Sequence, residues 1–417
     1  MEQKKTVWLV CVNAQPPESD THLRHQKFAE MLIKKGYHVI IFAGSFLHYN
    51  KSNSINNSQK YILSKYGDKQ YIFIKTPSYT SNGLKRIFSI FLFAWRLLCY
   101  RKKFPQPDIV IHNLRVPFDF PVYVAARKLK AKYVTEVWDL WPEDFVATGL
   151  MKQSHPFIKI AYQIERFLYE KADRLIFTME GGKDYILSKG WDTEHGGKVN
   201  IDKYNYINNG IDLDEFEYNK KNYIIKDHDL SDNSYFKVVY LGSIRLANNV
   251  QQLIDAAAFL RDNSKIKFLI YGDGDERERL IEHCKKHKIN NVIFKEKWVD
   301  IKYVPYILSC SSLNLMNYKK VESQKYGGSQ GKLFQYLASG KPILSNNVMG
   351  YDIVNKYKAG ISKNISNAQE YAEIINEFAL LDKEEYNVLC NNALNAAQFF
   401  DYKYLFKDYF KLINELS

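Results

Sequence analysis

The chain is poor in cysteine and has no long apolar segment. Its 417 residues include five cysteines, which are scattered along the sequence at Cys11, Cys99, Cys284, Cys310 and Cys390. Because their number is odd and their spacing matches no zinc or redox motif, we expect reduced thiols in a cytoplasmic protein. No apolar run approaches the roughly 20 residues of a membrane-spanning helix, and the apolar stretch after the basic start is too short for a signal peptide.

Motifs of several familiar function classes are also missing. The sequence has no P-loop, no Ser-His-Asp set, and no helix-turn-helix, RNP-like strand or zinc finger. Gly272, Asp273 and Gly274 start like a dinucleotide fingerprint, but its third glycine is absent. His283 and His287 have a helical spacing that can bind metal, yet they lie among lysines without a third strong ligand. We therefore expect no nucleic-acid partner, no redox dinucleotide and no metal site on this helix.

The chain does have an excess of positive charge and many aromatic residues. Its formal charge is +13 with a pI near 9.1, and it contains 31 tyrosines and 25 phenylalanines. This charge favours an anionic partner, such as a phosphorylated ligand or an acidic lipid. The length is too great for one ordinary core and suits two domains.

Short β-rich runs alternate with helical runs in both halves of the chain. We predict strands at residues 7–12, 38–43, 71–75, 109–112, 133–138, 175–178, 237–241, 267–271, 292–294, 313–316 and 343–345. We predict helices at residues 23–35, 84–101, 121–130, 157–171, 182–188, 250–260, 276–287, 303–309 and 332–338, with several more near the C-terminus. This alternation predicts an α/β fold with two doubly wound, Rossmann-like domains, at residues 1–212 and 237–400. Residues 213–236 are polar and poorly periodic, so we predict the linker there.

A glycine-rich loop runs into a short apolar helix at residues 326–342, which read YGGSQGKLFQYLASGKP. Glycines let the backbone approach a ligand closely, and the first turn of a helix leaves N–H groups unpaired. Such a turn can bind a phosphate or diphosphate, and Lys332 adds a full positive charge there. A helix that merely needs a flexible entry explains the loop alone about equally well.

Ligands of doubly wound domains bind at the carboxyl ends of the strands. Five loops are predicted to lie there, at residues 13–22, 136–144, 242–249, 272–274 and in the glycine-rich segment. The loop 136–144 carries four carboxylates and two tryptophans, whereas the loops of the second half supply backbone amides, Arg245 and Lys332. The second domain is therefore predicted to bind an anionic nucleotide, and a cleft between the two domains would suit a two-substrate reaction.

Residues 83–104 hold six basic residues and no acid around an apolar run. The run is too short to span a bilayer, but its composition suits a helix that lies in an anionic membrane surface. The alternative is a core helix of the first domain, with Phe91, Phe93 and Trp95 packed inside. The basic cluster Arg101-Lys102-Lys103 favours partial exposure.

Four segments of the second half resemble the retaining GT-B glycosyltransferases of family four, especially bacterial enzymes that build capsule, O-antigen or other surface glycans. These segments read VVYLGSIRLANNVQQLIDAAAFL, FLIYGDGDERERL, NVIFKEKWVDIKYVPYILSCSSLNLM and YGGSQGKLFQYLASGKPIL, all within residues 237–360. The first half resembles the family more loosely, through WDLWPED at 138–144, PPE at 16–18 and INNGID at 207–212.

The resemblance implies a GT-B fold with a nucleotide-sugar donor on the second domain and a glycan or lipid-linked acceptor on the first. It also implies a C-terminal helix at 401–417 that crosses back to the first domain. No cofactor and no metal would be needed, because positive side chains and helix N-termini would stabilise the departing diphosphate. Retention would proceed through an oxocarbenium-like transition state.

Site residues follow from the resemblance together with the loops above. The catalytic candidates are Asp139, Glu143, Arg245 and Lys332. The donor-binding candidates are Gly242, Ser243, Arg245, Asn248, Gly272, Ser329, Gln330, Gly331, Lys332, Leu333 and Gln335. The acceptor-side candidates are Ser19, Asp20, Thr21 and His112. We expect Arg245 and Lys332 to bind the diphosphate and Gln335 the ribose. For Asp139 and Glu143, a role in capping a helix is nearly as good an explanation as a role toward the acceptor.

The chain departs from the family pattern at four positions. The family often has glutamates where this chain has Gly327 and Gln335, and an arginine and a lysine where it has Ser243 and Asn248. Gln335 can still hydrogen-bond a ribose hydroxyl, though more weakly than a carboxylate can. The leading hypothesis is an active hexosyl- or N-acetylhexosaminyl-transferase that uses a UDP-sugar at the cytosolic face of the membrane, for a surface polysaccharide.

The altered positions leave a second hypothesis open. This is a non-catalytic GT-B-like subunit that binds or stabilises a partner glycosyltransferase. A third and weaker hypothesis is a related enzyme of the same fold, such as a nucleotide-sugar epimerase.

Overall fold

The computed structural model describes residues 4–19, 24–48, 51–81 and 83–416. The chain divides into two compact units. The first comprises Met1–Asn208 together with Leu405–Ser417, and the second comprises Asn209–Tyr404. Each unit is built around its own parallel sheet.

The first unit alternates strands and helices. Its strands are β1 (Thr6–Val10), β2 (His38–Gly44), β3 (Phe46–Leu47), β4 (Ser52–Asn53), β5 (Tyr61–Tyr66), β6 (Lys69–Ile74), β7 (Ile109–Asn113), β8 (Lys132–Val137), β9 (Arg174–Phe177) and β10 (Tyr204–Tyr206). Its helices are α1 (Arg24–Lys34), α2 (Leu84–Tyr100), α3 (Phe120–Lys128), α4 (Glu143–Ala147), α5 (Pro156–Lys171) and α6 (Gly182–Ser188).

The main sheet of the first unit has eight strands in the order β10-β9-β8-β7-β1-β2-β6-β5. Neighbouring strands are parallel, except that β5 and β6 form an antiparallel hairpin. Every residue of β1 and β7 is buried, as expected for central strands of a parallel sheet that is covered on both faces. The strand order reverses between β1 and β7, and ligands of such sheets bind at the carboxyl ends next to this reversal.

The second unit repeats the alternation. Its strands are β11 (Phe236–Leu241), β12 (Ile266–Tyr271), β13 (Val292–Phe294), β14 (Leu313–Met316), β15 (Ile343–Ser345) and β16 (Gly360–Ser362). Its helices are α7 (Leu213–Asn222), α8 (His228–Ser231), α9 (Val250–Phe259), α10 (Arg277–Lys286), α11 (Val304–Ser309), α12 (Gly331–Ala338), α13 (Ile353–Lys356), α14 (Ala368–Leu380) and α15 (Lys383–Phe399). A last helix, α16 (Tyr402–Leu416), begins in the second unit and continues into the first.

The sheet of the second unit has six parallel strands in the order β13-β12-β11-β14-β15-β16. This is the strand order of a Rossmann fold, and it reverses between β11 and β14. Two apolar clusters cover the faces of the sheet: Phe334 and Leu337 of α12 lie in one, and Leu253 and Ile254 of α9 in the other. Residues 242–249 follow β11 and residues 317–330 follow β14, so these two segments begin at the carboxyl ends of the strands beside the reversal.

The predicted strands and helices are present, with ends displaced by at most two residues. The predicted linker is wrong in character, because residues 213–236 contain α7 and α8 and belong to the second unit. Asp212 caps α7 by accepting from Glu215 N (3.0 Å), and Phe216 is packed into the core. Polar helices with one buried apolar residue show little periodicity, which explains the error. Among the described residues, no helix is long and apolar enough to cross a bilayer.

Candidate donor and acceptor sites

The loops after β11 and β14 meet at the reversal of the second sheet. The backbone N–H of Lys319, which follows β14, donates to Ala247 O (2.8 Å) in the loop that follows β11. Arg245 and Lys319 are both exposed on this edge. This backbone hydrogen bond joins the two loops that carry these cations. Arg245 could be predicted from the sequence, whereas Lys319 could not, because only the strand order brings the loop after β14 beside the loop after β11.

The loops after β11 and β12 are interlocked through glycines. Gly242 N donates to Tyr271 O (3.1 Å), and Gly272 N donates to Glu296 O (3.0 Å). Gly272 has φ +125°, and a Cβ there would lie 1.9 Å from Gly242 O. Only glycine fits, because any side chain would collide with backbone. Since both N–H groups already have acceptors, these predicted donor-binding glycines shape the loop rather than offer free amides.

Lys332 lies in the first turn of α12, where its ammonium group faces the loop after β11. Its Nζ is 4.9 Å from the centre of the Tyr240 ring, and a Cβ on Gly242 would lie 3.8 Å from it. Burial lowers the pKa of the Lys332 amine to about 8. Among the described residues Lys332 forms no ion pair. An unpaired, half-buried ammonium at a helix N-terminus is an arrangement that an anion would stabilise.

The glycine-rich loop is fixed by contacts within the second unit. Gly327 has φ +94°, a conformation that favours glycine. Asn209 Nδ2 donates to Ser329 O (3.1 Å) and to Ser329 Oγ (3.3 Å), and Gln330 Nε2 lies 3.6 Å from Met349 Sδ. No side chain caps the N-terminus of α12, so the first backbone N–H groups of this helix lie uncapped beside Lys332.

The remaining predicted donor-binding residues differ in how far they are exposed. Gly331 and Ser243 are exposed, and Asn248 and Gln335 are half-buried. Gln335 lies one turn after Lys332 on the same face of α12, so both side chains can reach one ligand. Leu333 is buried, and its N–H donates to Gln330 O (3.0 Å), so its side chain belongs to the core.

A network of buried amides, which the sequence analysis missed, supports this edge. Asn317 Nδ2 donates to the carbonyls of Asn248 (3.2 Å) and Asn249 (2.6 Å), and its Oδ1 accepts from Tyr371 Oη (2.7 Å). Asn346 Nδ2 donates to Gln252 Oε1 (2.9 Å). Buried polar groups with partners on every side rigidify a site. The sequence does contain a signal for this network, because an asparagine directly follows each strand: Asn317 follows β14 and Asn346 follows β15.

In the first unit, the predicted residues His112 and Asp139 lie near the carboxyl ends of β7 and β8, whereas Ser19 follows β1. Asp139 follows β8, its side chain is 54% exposed, and its Oδ2 lies 3.8 Å from Arg115 Nη2. The backbone of Ser19 ends a single 3₁₀ turn, Pro17–Ser19. Asp20 and Thr21 lie outside the described residues.

His112 is placed differently from the prediction. It is 1% exposed, its Nδ1 lies 2.8 Å from Tyr133 Oη, and its Nε2 lies 2.9 Å from Asp119 Oδ2. The imidazole therefore has no surface with which to touch an acceptor. It supports the loop after β7 from inside.

Glu143 is also a structural residue and not a free catalytic carboxylate. It is buried, and its Oε2 accepts from Tyr162 Oη (2.5 Å) and from Lys189 Nζ (2.5 Å). Lys189 Nζ also lies 4.3 Å from the centre of the Tyr162 ring. Both acceptor sites of a single carboxylate oxygen are thus used to anchor the start of α4.

A buried ion pair at the same edge was not predicted. Arg24 Nε donates to Glu136 Oε1 (2.9 Å), and Glu136 Oε2 accepts from Trp138 Nε1 (3.0 Å). Arg24 Nη1 also donates to Asn208 O. The pair joins α1 to β8, and Arg24 also joins them to the segment that follows β10. Arg24 sits in an ordinary helical pattern, so nothing in the sequence marks it as buried.

Comparison with known proteins finds a matching family model for each half of the chain. The Glycosyltransferase Family 4 model matches residues 26–215, and the Glycosyl transferases group 1 model matches residues 223–396. The probable glycosyltransferase WbjE of Pseudomonas aeruginosa is 22% identical over 283 residues, which are 66% of this chain. The match spans 65% of that relative, just under two thirds of its length.

Solved structures match over nearly the whole chain. HepE of Anabaena, solved in complex with UDP and glucose, is 14% identical with a TM-score of 0.67, over 99% of this chain and 100% of that one. WaaG, described as a glycosyltransferase involved in lipopolysaccharide biosynthesis, is 15% identical with a TM-score of 0.65, over 96% and 98% of the two chains. Residues 26–215 are thus similar to the Glycosyltransferase Family 4 model and residues 223–396 to the Glycosyl transferases group 1 model, and the solved structures show that the chain has the GT-B fold.

Proposed function

We propose that the protein is a retaining glycosyltransferase that moves a hexose or N-acetylhexosamine from a UDP-sugar to a glycan or lipid-linked acceptor. The product would belong to a bacterial surface polysaccharide. The observation that carries the proposal is Lys332, an ammonium group without an ion pair at an uncapped helix N-terminus. The complex of HepE with UDP and glucose supports the choice of donor, and the involvement of WaaG in lipopolysaccharide biosynthesis supports the choice of pathway.

The second unit would hold the donor diphosphate. Lys332 lies beside the interlocked glycine loops, and Arg245 and Lys319 are exposed on the same edge. Hydrogen bonds to charged groups contribute more than neutral ones, about 1.5–3 kcal/mol each. Gln335, which lies on the same face of α12 as Lys332, would bind a ribose hydroxyl.

In the reaction, the bond between the anomeric carbon and the β-phosphate oxygen would break, and the acceptor oxygen would form a bond to the same face of the sugar. The acceptor proton would pass to the departing diphosphate. Lys332, Arg245 and the first turn of α12 would stabilise the negative charge that develops on this leaving group. These preorganised charges would act without a bound metal.

A thermal-shift titration with UDP, GDP, ADP and CDP, each with and without magnesium, tests the proposal. A nucleotide at one hundred times its Kd should stabilise the protein by about 2.7 kcal/mol. Of the four nucleotides, we expect only UDP to give this shift, and we expect it to be of equal size in EDTA. In Lys332→Gln the same UDP concentration should stabilise the protein by only about 0.4–1.4 kcal/mol, because binding would be about 10- to 100-fold weaker. The matched control is Lys285→Gln, an exposed lysine on α10. No shift with any of the four would refute the donor assignment, and a shift that requires magnesium would refute metal independence.

We further propose that α2 of the first unit binds the cytosolic face of an anionic membrane. Leu84, Phe88, Phe91 and Trp95 are 84%, 54%, 41% and 48% exposed, and their spacing puts them on one face of the helix. The opposite face packs Ile90, Phe93, Ala94 and Leu97 into the core. Exposed apolar residues in a row, followed by the basic turn Arg101–Lys103, suit a bilayer interface.

Sedimentation with vesicles of phosphatidylcholine, with or without phosphatidylserine, tests the membrane proposal. Replacing Arg101, Lys102 and Lys103 by Gln should weaken binding to the anionic vesicles about a hundredfold, at about 1 kcal/mol per charge. Replacing Leu84 and Trp95 by Ser should also release the protein. The matched control replaces Leu380 and Trp298, which are 75% and 74% exposed in the second unit. Binding that is unchanged by these variants and by salt would show that α2 is only a core helix.

A further inference from the structure

Arg115, just after β7 in the first unit, has an unusual environment for a buried charge. It is 5% exposed, its Nη1 donates to Leu114 O (2.7 Å), and its Nε has no hydrogen-bond partner among the described residues. Its nearest carboxylate, Asp139 Oδ2, is 3.8 Å from Nη2, which is beyond hydrogen-bond distance. A buried guanidinium normally has several close acceptors, so this one has donors to spare.

The loop that carries Arg115 is held from inside the unit. Asp119 Oδ2 accepts from the backbone N–H of Arg115 and lies 2.9 Å from His112 Nε2. His112 Nδ1 in turn lies 2.8 Å from Tyr133 Oη. Asp119, His112 and Tyr133 are all buried, so they fix the loop and keep Arg115 in place. Such preorganisation is what a binding side chain needs.

An aromatic ring lies next to these donors. The guanidinium carbon of Arg115 is 5.8 Å from the centre of the Trp141 ring, which is half-buried. Phe145 packs against Trp141 with ring centres 4.8 Å apart. The exposed carboxylate of Asp139 completes the group. A hydrogen-bond donor, an acceptor and an apolar ring are thus presented together.

We propose that Arg115, Asp139 and Trp141 form a subsite for one pyranose ring of the acceptor. The carboxylate would accept from one hydroxyl of the sugar, Arg115 Nη2 would donate to a neighbouring hydroxyl, and the indole would pack against the apolar C–H face of the ring. A phosphate suits the group less, because the carboxylate of Asp139 would repel it. The inference rests on the proposed function and specifies where the acceptor glycan binds.

Saturation-transfer NMR with methyl glycosides tests the subsite on the full chain. The probes are the methyl α- and β-glycosides of glucose, galactose, mannose and N-acetylglucosamine. We expect at least one of them to bind the wild type, and Trp141→Leu and Arg115→Gln to weaken this binding tenfold or more. Asp139→Ala is the second test, because an exposed side chain can be changed without risk to folding. Trp298→Leu, at an exposed tryptophan of the second unit, is the matched control.

The thermal shift with UDP is measured in parallel for each variant. A wild type that binds UDP but none of the glycosides would overturn the subsite and leave the proposed function intact. Glycoside binding that survives all three substitutions would overturn it too. Loss of glycoside binding with an unchanged UDP shift supports it. A wild type that does not bind UDP would overturn the proposed function itself.

Discussion

The lowered pKa of Lys332 makes a quantitative prediction about the pH dependence of donor binding. In the free protein, burial lowers the pKa of this amine to about 8. A bound diphosphate favours the ammonium form and would keep Lys332 protonated up to pH 9. Binding would therefore take up a proton at pH values above about 8. The affinity should be constant below that pH and should fall as the pH rises through it.

The size of the effect follows from the titration. With a pKa of about 8, roughly nine tenths of the Lys332 side chains carry a proton at pH 7 and roughly one tenth at pH 9. The Kd for UDP should then rise about tenfold between pH 7 and pH 9, or about 1.4 kcal/mol. The phosphates do not contribute to the change, because a terminal phosphate with a pKa of about 6 is ionised throughout this range.

Isothermal titration calorimetry with UDP at pH 7, 8 and 9 measures this dependence in buffers of different ionisation enthalpy. Lys332→Arg should bind equally well at all three pH values, since a guanidinium keeps its proton. Lys332→Gln should bind about 10- to 100-fold more weakly and without pH dependence, because one charge-assisted contact is gone. A wild-type Kd that stays constant to pH 9, or a Lys332→Gln variant that keeps the slope, would refute the assignment.

Three further predictions concern stability. Gly272→Ala should destabilise the protein by 2 kcal/mol or more in urea unfolding and abolish the UDP shift, because its Cβ would collide with Gly242 O. Burial raises the pKa of Glu165 to about 8, so the folded state holds an extra proton between pH 5 and 8 and loses stability as pH rises. Glu165→Gln should flatten this dependence of Tm on pH; an unchanged slope would contradict it. Arg24→Met should lower the free energy of unfolding by about 3–5 kcal/mol, because Glu136 would stay buried without its partner. Adding Glu136→Gln should restore part of this loss, and an equal loss in the single and the double variant would argue against a coupled pair.

Much of the fold was predictable because both halves of the chain alternate helical and strand periodicities. Buried parallel strands such as β1 (TVWLV) and β11 (FKVVYL) consist mostly of apolar residues. The edge strand β5 was missed because its exposed residues weaken the pattern, although Gly67-Asp68 between β5 and β6 is a hairpin signal. The helices within residues 213–236 were missed because they are mostly polar.

The candidate site was less predictable, because it depends on partners that are distant in sequence. Lys332 could be found from its place at the start of a helix after glycines. Glu143 could not be told from a catalytic acid, since its neutralising partner Lys189 lies 46 positions away. Arg115 showed no signal at all: its buried state and its position beside Asp139 arise from the packing of β7 against β8.

The division of α16 between the two units has a consequence for how the chain is made. Tyr409, Leu412 and Ile413 of this helix are buried, and the ring of Tyr409 lies 4.2 Å from that of Phe28 in α1. The second unit, Asn209–Tyr404, is continuous and can fold as soon as it leaves the ribosome, whereas the first unit must wait for residues 405–416. Until then the apolar side of α1 stays uncovered. A nascent chain of this protein would therefore need protection for the apolar side of α1 until residues 405–416 have been made.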